Sequence, residues 1–258
     1  LRAMRGPANP SLNDTAGLLV DGFDREPSIL MPYNPPRYVD YLERYGFERV
    51  MTMWAYYVHK KYTKLDKLRR GAKIVRHRYP GLTIRTLDLS RFREEARAIL
   101  DIYNAAWSKN WGHVPMTDNE FDQLAADMKQ IVDPNMVFLL EQDGEPVAFS
   151  ITLPNLNQAL RNVRNGRLLP FGWAKLLMRA KLCGIDEVRM PLMGVLPAYH
   201  GRGYDVLLVL ETVDQGPPNG YDACEMSWVL DSNTVLKNHL DHIGSVVDKQ
   251  YAMFEASL

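Results

Sequence analysis

The chain has 258 residues, 46% of them hydrophobic and 24% charged, a composition that supports a packed core and excludes a disordered polypeptide. Lysine plus arginine equal aspartate plus glutamate at 31 each, so no global field selects for nucleic acid or a membrane surface. Cys183 and Cys224 lie at no metal-ligand spacing, no apolar run approaches the roughly 18 residues of a membrane span, and "LRAMRGPANPSLND" has no signal-peptide core; the expectation is a cytoplasmic protein with no metal and no membrane partner.

The first 59 residues begin in a Pro/Asn/Gly-rich segment, "RGPANPSLNDTAGLLVDGF". A helix is predicted from Pro35 to Tyr45, with both prolines in the first turn, where a missing N–H costs nothing. Gly46 ends it and "FERVMTMWAYYV" reads as a strand. Residues 60–78 carry nine basic residues against the single Asp66, which reads as a solvated connector with a short helix. "LTIRTLD" then gives a strand and "SRFREEARAILDIYNAAW" a helix, with Ser90 placed to cap it. Thr117 and Glu120 have the spacing of a capping box ahead of the next helix. A hairpin turns at Asp143-Gly144, and helices are expected near 155–164 and 172–181. The strand "DEVRMPLMGV", a glycine loop with its helix, the strand "DACEMSWVL", the helix "SNTVLKNHLDHI" and the strand "SVVDKQYAMFEA" close the chain. Alternating helices and strands predict an α/β or α+β sheet flanked by helices.

Residues 33–58 and 232–256 both run Asn, helix, Gly, strand. Counted back from each glycine, Leu42 matches Leu240 and Tyr38 matches Leu236, while Asn34 and Asn233 are out of step by one. Chance and duplication both account for so short a match.

"HGRGYD", residues 200–205, carries the clearest chemical signal. It follows a strand and Pro197, and it opens a helix. Glycines permit close backbone approach, and the unpaired N–H groups of a helix N-terminus attract anions, phosphate above all. A plain strand-to-helix turn shares this pattern, since a lone G-x-G is common.

With the Asn233 to Gly244 unit, this loop resembles that of the acyl-CoA-dependent N-acyltransferases of the GNAT superfamily. Members carry [R/Q]-x-x-G-x-[G/A] after a central strand and a later Asn-x-x-Ala…Tyr-x-x-x-Gly-Phe helix. The likeness covers residues 82–258. It is extended by "N-x-x-W…NWG-x-x-P" at 104–115 and "E-x-S-W-x-L-x-x-N" at 225–233, stretches shared with certain bacterial members. It implies a mixed, mostly antiparallel central sheet in residues 81–258, a basic connector at 60–80, and a partial GNAT-like unit at 1–59, the closing half of a truncated first copy in a tandem. It further implies acetyl-CoA or another acyl-CoA as donor. Val195, Leu196, His200, Gly201, Arg202, Gly203, Tyr204, Asp205 and Asn233 would hold it, and Trp107, Trp111 and Trp228 would line an acceptor pocket.

Three positions depart from the family pattern. His200 stands where Arg or Gln is usual, Asp205 places a carboxylate near the expected diphosphate, and Leu240 fills the slot of the tyrosine that protonates the departing thiolate. Acyl transfer to an amine still needs a base and a proton donor. Glu225, which shares a strand face with Ser227, is the candidate base, acting directly or through water. His239 and His242 lie near Gly244 on one helix face, and either could stand in for the tyrosine, with His242 set beside Glu225 as the catalytic pair. The expected function is transfer of an acyl group to a small-molecule amine or peptide, with no nucleic-acid partner. An inactive CoA-binding module and an aminoacyl-tRNA-dependent transferase are the alternatives. An incomplete first half would leave a sheet edge to cover, which a homo-oligomer could do.

Overall fold

The computed structural model describes residues 2–9, 11–108, 110–161 and 184–258. Its centre is a nine-stranded sheet of β1 (Ala3–Gly6), β2 (Leu18–Asp21), β3 (Glu48–His59), β4 (Leu82–Thr86), β5 (Val137–Gln142), β6 (Glu145–Pro154), β7 (Glu187–Val195), β8 (Ala223–Leu230) and β9 (Val246–Ser257). The order is β1-β9-β3-β8-β7-β6-β5-β4, with β2 also paired to β9. Every pairing is antiparallel except β7 with β8. The mixed, mostly antiparallel sheet expected from the sequence is the one observed.

The helices are α1 (Arg37–Arg44), α2 (Asp66–Arg78), α3 (Phe92–Trp107), α4 (Asp118–Met128), α5 (Asn157–Leu160), α6 (Tyr204–Gln215) and α7 (Thr234–His242). Alternation along β6 explains the layers. Phe149 points toward α3 into a cluster with Ile99, Ile102 and Tyr103, while Ala148 points to the other face, against Leu207 and Leu208 of α6 and Ala72 and Val75 of α2. Burying each such Leu, Ile or Phe contributes roughly 1.5–3 kcal/mol.

Several local signals appear where they were read. Thr117 and Glu120 form a complete capping box on α4. Asp143 and Gly144 both have positive φ, 56° and 86°, which suits the twist of the β5–β6 hairpin. Ser90 is not the cap of α3: Asp88 accepts from the Ser90 N–H at 2.8 Å and starts a 3₁₀ turn that leads into the helix. Of the two helices expected after β6, α5 falls within the first, and the one at 172–181 lies outside the described residues.

The N-terminal 59 residues supply β1, β2 and β3 to this same sheet, and β3 lies in its interior between β8 and β9. β1 and β2, four residues each in the Pro/Asn/Gly-rich segment, both pair with β9, β2 burying Leu18 and Leu19 against it. The basic stretch after β3 is a 13-residue helix, α2, that buries Leu68, Ala72 and Val75 while its charges face outward. The two helix–Gly–strand units, α1–β3 and α7–β9, sit side by side. Each glycine has positive φ, and each 12-residue strand begins two positions later. Met53 pairs with Tyr251, both seven residues beyond their glycine (46 to 53, 244 to 251), so the two units meet about an approximate twofold.

Candidate functional site

The site begins where β7 and β8 part. They pair in parallel from Glu187 with Ala223 to Met190 with Met226, and no further. β7 continues along β6 as far as Val195, and β8 along β3 as far as Leu230. Pro191 is the first residue beyond the last pair, and it has no N–H to offer β8. The resulting wedge opens into a cavity of about 1130 Å³, lined by residues 191–195 of one strand and 227–230 of the other.

At one end of the cavity lies the glycine loop. A 3₁₀ turn, Pro197–Tyr199, leads to Gly201 and Gly203, both at positive φ, and then into α6. The backbone N–H groups of residues 201–206 make no hydrogen bond among the described residues. They form the donor cluster of a helix N-terminus, with His200 and Gly201 exposed at the surface. Gly203 is required twice over: its φ is +79°, and a Cβ there would come within 2.8 Å of Val75 Cγ2 on α2.

The side chains of this loop have other work. The His200 Nε2 lies 2.8 Å from the Val195 carbonyl and closes the loop on its own strand. Arg202 stacks over Tyr199 and Tyr79, 4.6 and 5.3 Å from the ring centres. The Tyr204 side chain is core, donating to Gln142 Oε1 at 3.0 Å. Leu196 donates its N–H to Val147 and extends the β6–β7 pairing. Asn233 caps α7 by accepting from the Leu236 N–H. The backbone N–H groups of this loop are thus available to an anion, with the exposed His200 and the partly exposed Arg202 guanidinium beside them.

Asp205 lines the cavity beside the loop and is paired across it to α7. Its Oδ2 lies 3.0 Å from His239 Nδ1 on α7. That hydrogen bond raises the His239 pKa, and partial burial opposes the rise. Of the two histidines on α7, His239 lines the cavity. His242 is exposed and bonds the Asn238 carbonyl of its own helix, so it is not brought to Glu225. Leu240 is buried in the core between α6 and α7.

The apex of the wedge is polar. Arg189, 4% exposed, donates from Nε to Ser227 Oγ at 2.8 Å, and from its other nitrogens to the carbonyls of Ser227 and Ile29. Burial lowers its pKa to about 10. Ser227 Oγ donates to Glu225 Oε1 at 2.8 Å, and Lys249 Nζ donates to Glu225 Oε2 at 2.9 Å. Lys249 also pairs with Asp248, which Arg25 reaches from the surface at 2.8 Å. Burial alone would lower the Lys249 ammonium, but the two carboxylates more than reverse that and hold its pKa above the ordinary value. Ser227 and Arg189 line the cavity, and Glu225 lies behind them. Lys249 escaped sequence reasoning because its pairing with Glu225 depends on the register of separate strands.

Away from the apex the lining is mostly apolar, with Asn13, Asp14, Asn110, His113 and Asp127 among its polar members. Between α3, α4 and the sheet the cavity is walled by Phe92, Ile99, Phe121, Leu124 and Met128. The three tryptophans expected at a pocket all line it. Trp107 donates Nε1 to the Met193 carbonyl at 3.4 Å, Trp111 lies under the Arg5 guanidinium at 4.6 Å, and Trp228 packs beside Tyr251 and Met53. The N-terminal loop closes the far end: Tyr103 Oη donates to Asn13 Oδ1 at 2.6 Å, and Asn13 donates to the Val114 carbonyl. Among the described residues no group of three or more His, Cys, Asp or Glu could hold a metal ion, and no helix is long and apolar enough to cross a membrane.

No protein-family model matches the chain. It is 36% identical over 257 residues to Protein YghO of Escherichia coli (strain K12), covering 98% of this chain and 65% of that protein. It is also 36% identical over 262 residues to Bacterial ceramide synthase of Caulobacter vibrioides, covering 98% of this chain and 66% of that one. The chain thus spans a little under two thirds of the length of these relatives. Among solved structures it is similar to a GCN5-related N-acetyltransferase from Sphaerobacter thermophilus, with a TM-score of 0.55 at 15% identity over 88% of this chain and 59% of that one. The fold is that of the GCN5-related N-acetyltransferases.

Proposed function

We propose that this chain transfers an acyl group from acyl-CoA to the amine of a long-chain, lipid-like acceptor. The observation that carries the proposal is the junction of two surfaces. Six unpaired backbone N–H groups at the start of α6, suited to a diphosphate, open directly into a wedge and a mostly apolar cavity of about 1130 Å³. A pantetheine arm running from the loop into the wedge would bring its thioester to the apex, beside residues 191–195 of β7. The apolar wall of α3 and α4 is larger than an acetyl group needs and suits hydrocarbon chain. Likeness to a protein named ceramide synthase supports an amino alcohol with a long chain as acceptor.

In this reading residues 201–206 bind the diphosphate through their N–H groups, and Trp107, Trp111 and Trp228 wall the acceptor. A protonated His239 compensates the Asp205 carboxylate beside the diphosphate. Glu225 is the base, reached through Ser227.

The test is release of free thiol from acetyl-CoA and from hexadecanoyl-CoA in the presence of sphinganine, a long-chain 2-amino-1,3-diol, with the amide product identified by mass. Turnover is expected with hexadecanoyl-CoA and is expected to be weak with acetyl-CoA. Failure of either thioester to bind, measured by calorimetry, would remove the proposal.

A further inference from the structure

The buried polar chain at the wedge apex has a direction. It begins at Ser227, on the cavity wall, and passes through Glu225 and Lys249 to Asp248, where Arg25 meets solvent. Three charged groups, Arg189, Glu225 and Lys249, are buried, the Asp248 side chain is 5% exposed, and the two cations and two carboxylates balance one another. A core that needed only packing would fill the same space more cheaply with apolar side chains. The one neutral member, Ser227, is also the member placed at the reacting end. Its exposure is 2%, so only a small group seated at the apex, such as an amine nitrogen or a thioester sulfur, can reach its hydroxyl.

Building on the acyl-transfer reading, we infer that Ser227 is a catalytic residue that relays the acceptor's proton to Glu225 and returns it to the thiolate. Arg189 Nε donates to Ser227 Oγ, and this fixes the hydroxyl so that its own hydrogen points at Glu225 Oε1. Met31 Sδ lies 3.5 Å from the same oxygen, and this flexible thioether must give way for the incoming amine proton to reach the remaining lone pair. As the amine lone pair forms the C–N bond, the amine proton passes to Ser227 Oγ, and the serine hydrogen passes to Glu225. The C–S bond then breaks with its electron pair on sulfur. The proton on Glu225 returns along the same hydrogen bond to Ser227, which gives its hydrogen to the thiolate. The sum is one proton moved from nitrogen to sulfur, and the protein ends as it began. Lys249, held by both Glu225 and Asp248, is a positioning residue that keeps Oε2 occupied so that Oε1 alone takes part. The relay also dispenses with the tyrosine whose place Leu240 fills.

The experiment is single-turnover thiol release from hexadecanoyl-CoA with sphinganine, for the wild type, Ser227→Ala, Ser227→Thr and Glu225→Gln. S227A and E225Q are expected to lower the single-turnover rate by about 100-fold, with affinity for hexadecanoyl-CoA unchanged. S227T, which keeps the hydroxyl, is expected to restore most of the rate. The wild-type rate is expected to fall in D₂O and the residual S227A rate is not. A structural role would move melting temperature without splitting rate from affinity or favouring Thr over Ala. Should S227A fail to fold, E225Q carries the test, because its amide oxygen still accepts from Lys249 and its NH2 can donate to Ser227 Oγ, while it takes no proton. Wild-type turnover with S227A or E225Q within threefold of it would overturn the relay alone. Absence of thiol release from the wild type would overturn the acyl-transfer reading and the relay with it.

Discussion

Asp205 on α6 and His239 on α7 face each other at 3.0 Å beside the unpaired N–H groups of the glycine loop. A carboxylate at a helix N-terminus suits the helix dipole but opposes a second anion at the same place. A proton on His239, which Asp205 favours, answers that conflict. Without it, the loop would offer a diphosphate six donors and a fixed negative charge together.

The pair makes the site pH-dependent, with a definite sign. Asp205 holds the His239 pKa above its ordinary 6.5, against partial burial. The contribution of the pair to stability is therefore complete below the unfolded histidine's pKa and is lost as pH rises through the folded one. Acyl-CoA affinity should follow, since a neutral His239 leaves Asp205 uncompensated. Both groups are partly exposed, so the effect is small, up to roughly fivefold in Kd between about pH 6 and pH 9. Calorimetry should show affinity falling with pH in the wild type, and the fall moved to lower pH in Asp205→Asn, where His239 loses the carboxylate that raises its pKa.

The two loop glycines should separate binding from folding. A Cβ at Gly201 meets nothing within 4 Å, so Gly201→Ala adds only left-handed backbone strain of about 1–2 kcal/mol. Its methyl group would project into the space above the loop. The expected result is a folded protein with acyl-CoA affinity reduced about tenfold or more. At Gly203 the same substitution strikes Val75 and pushes α2 from α6, so Gly203→Ala should lose melting temperature as well. Paired melting and titration curves distinguish the two.

Chain length should be read by α4. Phe121, Leu124, Ala125 and Met128 recur at helical spacing, and all four line the cavity. Ala125→Trp would fill part of that space. Turnover of hexadecanoyl-CoA is expected to drop while acetyl-CoA binding persists. Equal loss for both thioesters would place the hydrocarbon chain elsewhere.

Lys249→Met removes the cation between Glu225 and Asp248, each within the buried network. Asp248 keeps Arg25, but leaving the Glu225 carboxylate without its cation in the core should cost about 3–5 kcal/mol. Adding Glu225→Gln to Lys249→Met should recover part of that loss. Urea unfolding of the three variants checks the order.

Much of this protein was set by local sequence. The capping box at Thr117, the hairpin at Asp143-Gly144 and the two helix–Gly–strand units depend on backbone geometry within a few residues, and such geometry is legible in residue types. The strand–glycine–helix turn at residues 200–205 was legible for the same reason. Tertiary structure alone decided the rest. β1 and β2 both pair with β9, at the far end of the chain, and α2 is a packed helix because Val75 fits against Gly203. His239 answers Asp205, and Lys249 answers Glu225, across elements whose register no single segment contains. Side-chain direction on one element follows from its own period, whereas charge pairing follows from how strands and helices are laid beside one another.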